Sequence, residues 1–164
     1  MVQRITFHSA LALAMIFPGH KMSYSKIWIH AVWGTKGRTP ILQKETRKQL
    51  FNHIQENAAQ KKIFIKSING YVDHVHVLVG LKADMSLSET IQLLKGESAH
   101  WANKNQICLP KLIWAKEYFA VSVSESMLGK VIDYINNQEE HHRKKSFSEE
   151  YEEFIQKYNF NTHG

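Results

Sequence analysis

An α+β fold, with helices packed on one antiparallel sheet, is what this sequence predicts, and three features predict it. Runs rich in β-branched and aromatic residues are interleaved with stretches of helical spacing, in the order strand, helix, hairpin, helix, strand, helix. An Asn-Gly pair between two β-rich runs signals strands joined as a hairpin. The composition is that of a globular chain: 43% of the 164 residues are hydrophobic and 22% charged, enough to bury a core and too apolar for disorder.

Each element has its own warrant. Lys26 to Trp33 (KIWIHAVW) reads as the first strand, and Gly34 to Pro40 as a loop carrying Lys36 and Arg38. From Lys44 to Lys62 the spacing is helical, with Leu50, Phe51, Ile54 and Ala58 along one side. Ile63 to Ile68 and Tyr71 to Leu81 form the expected hairpin, turning at Asn69-Gly70, because a two-residue turn of this type needs positive φ at both positions. Ser86-Leu87-Ser88-Glu89 has the capping-box form and should open a helix reaching Asn105. Ile113 to Val123 is the next strand. Ser124 is placed to cap a helix through His142, and a short helix from Ser148 to Tyr158 ends the chain. The sum is a ferredoxin-like, or RRM-like, antiparallel sheet covered by helices.

Residues 1–21 stand apart. Arg4 precedes an apolar run, Ala10 to Phe17, too short to span a bilayer. The expectation is a non-native or disordered extension, with Met22 as the natural start and 22–164 as a single domain. Cys108 is the only cysteine, which excludes an internal disulfide and a cysteine-rich zinc site, and suits a reducing cytoplasm. No membrane partner is expected.

A net charge of +6 points to a polyanionic partner, since each Lys or Arg that meets a phosphate releases condensed counterions. The charge is uneven. Between Lys36 and Lys66 lie eight basic residues, Arg38, Arg47 and Lys48 among them, against Glu45 and Glu56. A merely solvated basic surface is the simpler account of charge alone.

The chemistry centres on Asp73-His74-Val75-His76-Val77-Leu78-Val79. On a strand, residues i and i+2 share a face, so His74 and His76 project together while the valines enter the opposite layer. Two adjacent imidazoles can grip a divalent ion, although an isolated His-x-His is more often a hydrogen-bonded pair. Downstream, Tyr134 and Gln138 are four apart on a predicted helix and so share a face, with Gln138 offering an oxygen as third ligand. His141 and His142 follow as extra imidazoles that could compete with Gln138; a solvated helix end is the simpler account of both. His30, on the first strand, is a further candidate to face the site. Trp28, Trp33 and Trp101 are available to stack on an unpaired base, each with a core position as the simpler reading.

These residues carry a resemblance. YVDHVHVLVGL followed about sixty residues later by YINNQEEHH resembles the IS200-like transposases, the single-tyrosine HUH family, in which two histidines flank a bulky hydrophobic residue. IHAVWGTKGR and WAKEYFAVSVS are similar to the family as well, and the likeness runs from Ser23 to Tyr158. The resemblance implies Tyr134 as the nucleophile on a C-terminal helix and His74, His76 and Gln138 as ligands of Mg²⁺ or Mn²⁺. It implies transesterification through a 5′-phosphotyrosine, and single-stranded DNA bearing hairpins as the substrate, at the ends of a mobile element. It also implies a homodimer, in which the tyrosine helix of one chain can complete the histidine site of the other. Lys36, Arg38, Arg47 and Lys48 are the expected phosphate contacts. Three other readings stay open: a domesticated nuclease acting on repeated genomic hairpins with the same chemistry, a non-catalytic RRM-like nucleic-acid-binding module, and a metal-dependent hydrolase that uses water.

Overall fold

The computed structural model describes residues 25–143 together with 149, 152, 153, 155 and 156. Its elements are β1 (Ile27–Gly34), a 3-10 turn (Lys36–Arg38), α1 (Lys44–Gln60), β2 (Phe64–Tyr71), β3 (His74–Leu81), α2 (Leu87–Lys104) and β4 (Phe119–Val123). A second 3-10 turn (Glu125–Met127), α3 (Leu128–Asn136) and α4 (Gln138–His142) follow. The strands form one sheet in the order β2-β3-β1-β4 with every neighbouring pair antiparallel, the ferredoxin-like arrangement that the sequence predicts.

Strand alternation divides the sheet into two faces. Ile29, Ala31 and Trp33 of β1 and Val75, Val77 and Val79 of β3 join Leu50, Phe51, Ile54 and Ala58 of α1 and Ile91, Leu94 and Ala102 of α2 in the main core. The alternate residues, His30 and Val32 of β1 and His74, His76 and Leu78 of β3, are also buried, on the face that α3 covers. β3 is therefore covered on both sides, apolar on one and imidazole-lined on the other. Ser86 caps α2 as expected, its hydroxyl accepting from the Glu89 amide at 3.1 Å.

Three sequence expectations are corrected. Asn69 and Gly70 lie inside β2, paired with His76 and Val75, and the chain turns at Val72-Asp73 instead. Gly70 is needed for room: a Cβ there would collide with the His74 carbonyl oxygen and lie 2.9 Å from the Val75 Cα. Asn69 turns its amide to the Asn136 carbonyl at 2.9 Å and so clasps the end of α3 to β2.

The last strand is shorter than expected. Residues 113–118 leave the sheet except for a single bridge from Trp114 to Thr35. Trp114 belongs to the core, edge-on to Trp33 at 6.1 Å and bonded through its indole to Ser98 at 3.0 Å. Lys95 takes the Lys116 carbonyl at 2.9 Å, an acceptor otherwise available to a strand partner.

The helix expected from Ser124 to His142 is broken. Ser124 makes no side-chain cap, and Asn137 (φ −95°, ψ 23°) separates α3 from α4, its own amide bonded back to the Asp133 carbonyl at 2.8 Å. Of the closing helix, residues 149, 152, 153, 155 and 156 are helical, and the rest of 148–158 lies outside the described residues, as do residues 1–24.

Candidate metal and nucleophile site

β3 presents His74 and His76 on the α3 side of the sheet, both fully buried. Each ring is oriented by a second residue. His74 Nδ1 lies 2.8 Å from Asp73 Oδ1, and Asp73 Oδ2 in turn accepts from Arg38 Nη2 at 2.7 Å. His76 Nδ1 lies 3.1 Å from His30 Nε2; the two residues are diagonal across the β1–β3 pair and their rings stack at 5.3 Å. The carboxylate and the third imidazole thus leave Nε2 of His74 and of His76 as the nitrogens that face the site.

The electrostatics keep these rings neutral. Burial lowers the His30 pKa to about 4. Burial also lowers His74, against the pull of its Asp73 hydrogen bond, and depresses His76 far more, helped by the neighbouring imidazoles. Burial would raise Asp73, but its bonds to His74 and the Arg38 charge outweigh that and hold it ionised. Neutral imidazoles with exposed lone pairs are the form that binds metal ions.

α3 lays Tyr134 across this face of its own chain. The phenol ring stands edge-on to His76 at 5.6 Å, to His30 at 6.0 Å and to His141 at 5.2 Å. Its hydroxyl is buried without a hydrogen-bond partner among the described residues. Ile135, the next residue of α3, is fully buried. One turn on, Gln138 is fully buried; its amide nitrogen donates to the Tyr134 carbonyl at 3.2 Å, which turns Oε1 toward the histidines.

The end of α4 departs from the expected solvated helix terminus. His142 stacks on Tyr71 at 4.9 Å, and its Nε2 lies 3.0 Å from His74 Nε2 and 3.1 Å from Gln138 Oε1. Among the described residues, His74, His76 and His142 form a cluster whose ligand atoms lie within 4.8 Å of one another. The donors suit a divalent ion: imidazole nitrogens and an amide oxygen that converge on one another.

The expected phosphate contacts divide. Lys36 and Lys48 are exposed. Arg38 is half-buried on Asp73. Arg47 is not at the surface at all: 6% exposed, it donates to Glu139 at 2.6 Å and to the Leu42 carbonyl at 3.2 Å, and lies over the Tyr71 ring. It ties α4 to α1, because its position on the helix faces inward beside Leu50 and Phe51. Of the tryptophans, Trp33 is core, Trp28 is half-buried against Phe64 with its indole bonded to Glu125, and Trp101 stacks on His53 at 4.0 Å.

Sequence reasoning gave Asp73 no role, and it weighed His142 as a competitor of Gln138 but preferred a solvated helix end. A residue before a strand histidine should point to the other face; Asp73 escapes that rule because it sits in the turn. His142 had a readable signal: Tyr134, Gln138 and His142 are successively four apart, one helical face.

A family model described as "Transposase IS200 like" matches residues 23–138. The chain is similar to the ISDra2 transposase TnpA of Deinococcus radiodurans, 26% identical over 117 residues that cover 66% of this chain and 81% of that protein. A crystal structure from D. radiodurans R1, described as a transposase, superposes with a TM-score of 0.54 at 25% identity, covering 74% of this chain and 97% of that one. A REP-associated tyrosine transposase bound to a REP hairpin has the same fold, with a TM-score of 0.54 at 17% identity over 77% of this chain and 74% of that one. No helix among the described residues is long and apolar enough to cross a membrane.

Proposed function

The chain belongs to the IS200-like transposase family, and from that premise we propose that it cuts and rejoins single-stranded DNA beside hairpins through Tyr134. The supporting observation is the packing of Tyr134 against His76, its hydroxyl buried without a hydrogen-bond partner among the described residues, with Gln138 one turn further along. A buried phenol that satisfies no hydrogen bond is costly, and such groups recur where chemistry uses them.

In this reading, His74, His76 and Gln138 hold a divalent ion, Mg²⁺ or Mn²⁺. Bound there, the ion would draw charge from the scissile phosphate and orient it for in-line displacement. Asp73 and His30 keep the two ligand rings turned toward that phosphate. The Tyr134 oxygen attacks phosphorus and gives up its proton to solvent, the P–O3′ bond breaks, and the departing O3′ takes up a proton in turn. The products are a 5′-phosphotyrosine and a free 3′ hydroxyl, and the retained ester energy lets another 3′ hydroxyl reverse the step without ATP. Lys36, Arg38 and Lys48 would contact the DNA backbone; Arg47, enclosed by Glu139 and Tyr71, is left out of that surface.

The proposal extends to a homodimer working in the cytoplasm. Because α3 meets the β3 of its own chain, pairing is not required to bring Tyr134 to His76, and sedimentation at micromolar concentration measures whether it occurs.

The test uses the full chain, Mn²⁺ and labelled single strands carrying a hairpin with flanks, resolved on a denaturing gel. Wild type gives a covalent protein–DNA band and Tyr134→Phe gives none. Cleavage without any adduct would replace this mechanism by hydrolysis with water, and hairpin binding without cleavage would leave only a binding module.

A further inference from the structure

We infer that His142 is a fourth protein ligand, so that the site holds its ion through three imidazoles and one amide oxygen and selects Mn²⁺ over Mg²⁺. This rests on the metal reading above and adds a residue outside the stretch that matches the family, which ends at 138.

The distances carry it. His142 Nε2 stands 3.0 Å from His74 Nε2 and 3.1 Å from Gln138 Oε1. Ligands about 2.1 Å from a six-coordinate ion lie about 3.0 Å apart at adjacent corners. His142 Nε2 therefore already stands at adjacent-corner spacing from both of the other donors.

The orientation of the donors agrees. His74 Nδ1 is engaged by Asp73 Oδ1, which turns Nε2 toward the cluster. Gln138 Oε1 is an acceptor and faces the same nitrogen of His142. His76 completes the group, its ligand atom within 4.8 Å of those of His74 and His142.

The His142 ring is also held in place. It stacks on Tyr71, Tyr71 lies under Arg47, and Arg47 grips Glu139 at the start of the same short helix. Lys44 bonds the other oxygen of Glu139 at 3.2 Å. A merely solvated histidine would need none of this. Three nitrogen ligands disfavour Mg²⁺, which prefers oxygen, and favour Mn²⁺ and the later divalent ions.

The test is metal binding, with no DNA present. Metal-stripped full chain is titrated with Mn²⁺ and with Mg²⁺ by calorimetry, and pulsed EPR of the Mn²⁺ form counts coordinated imidazole nitrogens. Wild type should bind Mn²⁺ at least about tenfold more tightly than Mg²⁺ and show three imidazoles. His142→Ala should weaken Mn²⁺ by about ten- to a hundredfold and show two. His142→Gln, which keeps an oxygen donor, should lose the Mn²⁺ preference while retaining Mg²⁺ binding, and guards against a folding defect in the alanine variant. His141→Ala should change nothing. Equal Mn²⁺ affinity and equal nitrogen count in wild type and His142→Ala overturn the fourth ligand alone. A wild type that binds neither ion overturns the metal reading beneath it.

Discussion

Acidification should unfold this protein by charging the imidazoles under α3, and His30 sets the scale. Its pKa falls from 6.5 in the open chain to about 4 in the fold, because burial removes water from the charged form. Between those values the unfolded chain binds a proton that the native state refuses, so stability is intact above pH 6.5 and drains away as pH falls toward 4. From pH 7.5 to pH 5, one such group costs about 2 kcal/mol. His74 and His76 shift in the same direction and add to it. The lowered carboxyls, Asp73 and Glu139, lose their contribution only at lower pH, which leaves this window to histidines. Urea unfolding of metal-stripped protein in chelator at pH 7.5, 6 and 5 measures the effect. His30→Gln, whose amide can still accept from His76, should flatten the slope by up to one proton. A stability that is level across this range, or a His30→Gln slope equal to wild type, would refute the account of a neutral buried triad.

Three further outcomes follow from the same geometry. Gly70→Ala should cost about 3 kcal/mol in thermal unfolding, since its new methyl meets backbone of β3 that cannot move aside cheaply, whereas Gly96→Ala on the exposed side of α2, with nothing within 4 Å, should gain about 0.5–1 kcal/mol. Tyr134→Phe should melt at or slightly above wild type, by up to about 1 kcal/mol, because it deletes a buried hydroxyl with no hydrogen-bond partner among the described residues; a clear loss of stability would mean the hydroxyl has a structural partner. Hairpin binding measured by fluorescence anisotropy should weaken steeply with salt, and Lys36→Ala and Lys48→Ala should each lower the slope of log K against log salt by about one. A flat salt dependence would remove the basic stretch from the DNA surface.

The sheet and its two covering helices were readable in the sequence because their patterns are local: β-branched runs, a capping box at Ser86 and one apolar side on α1. What was not readable depended on distant partners. Asn69-Gly70 has the letters of a turn, yet the register of β2 against β3 places both in the strand, and Asn136 on α3 supplies the bond that holds Asn69. Trp114 looks like a strand residue, but Ser98 and Trp33 draw it into the core. Arg47 looks like surface charge, and only Glu139, ninety-two positions away, shows why it is buried. At the site, the pairing of His74 with His76 followed from a two-residue period and the stacking of Tyr134 over Gln138 from a four-residue one. Their meeting across the sheet is a tertiary fact.

The two-sided burial of β3 has a consequence for how such a site can fail. A slip of one residue along β1 would send the imidazoles into oil and the valines toward the phenol, so the apolar face and the imidazole face stand or fall on one register. A misaligned copy of this strand would lose its valine core and its imidazole face in the same step.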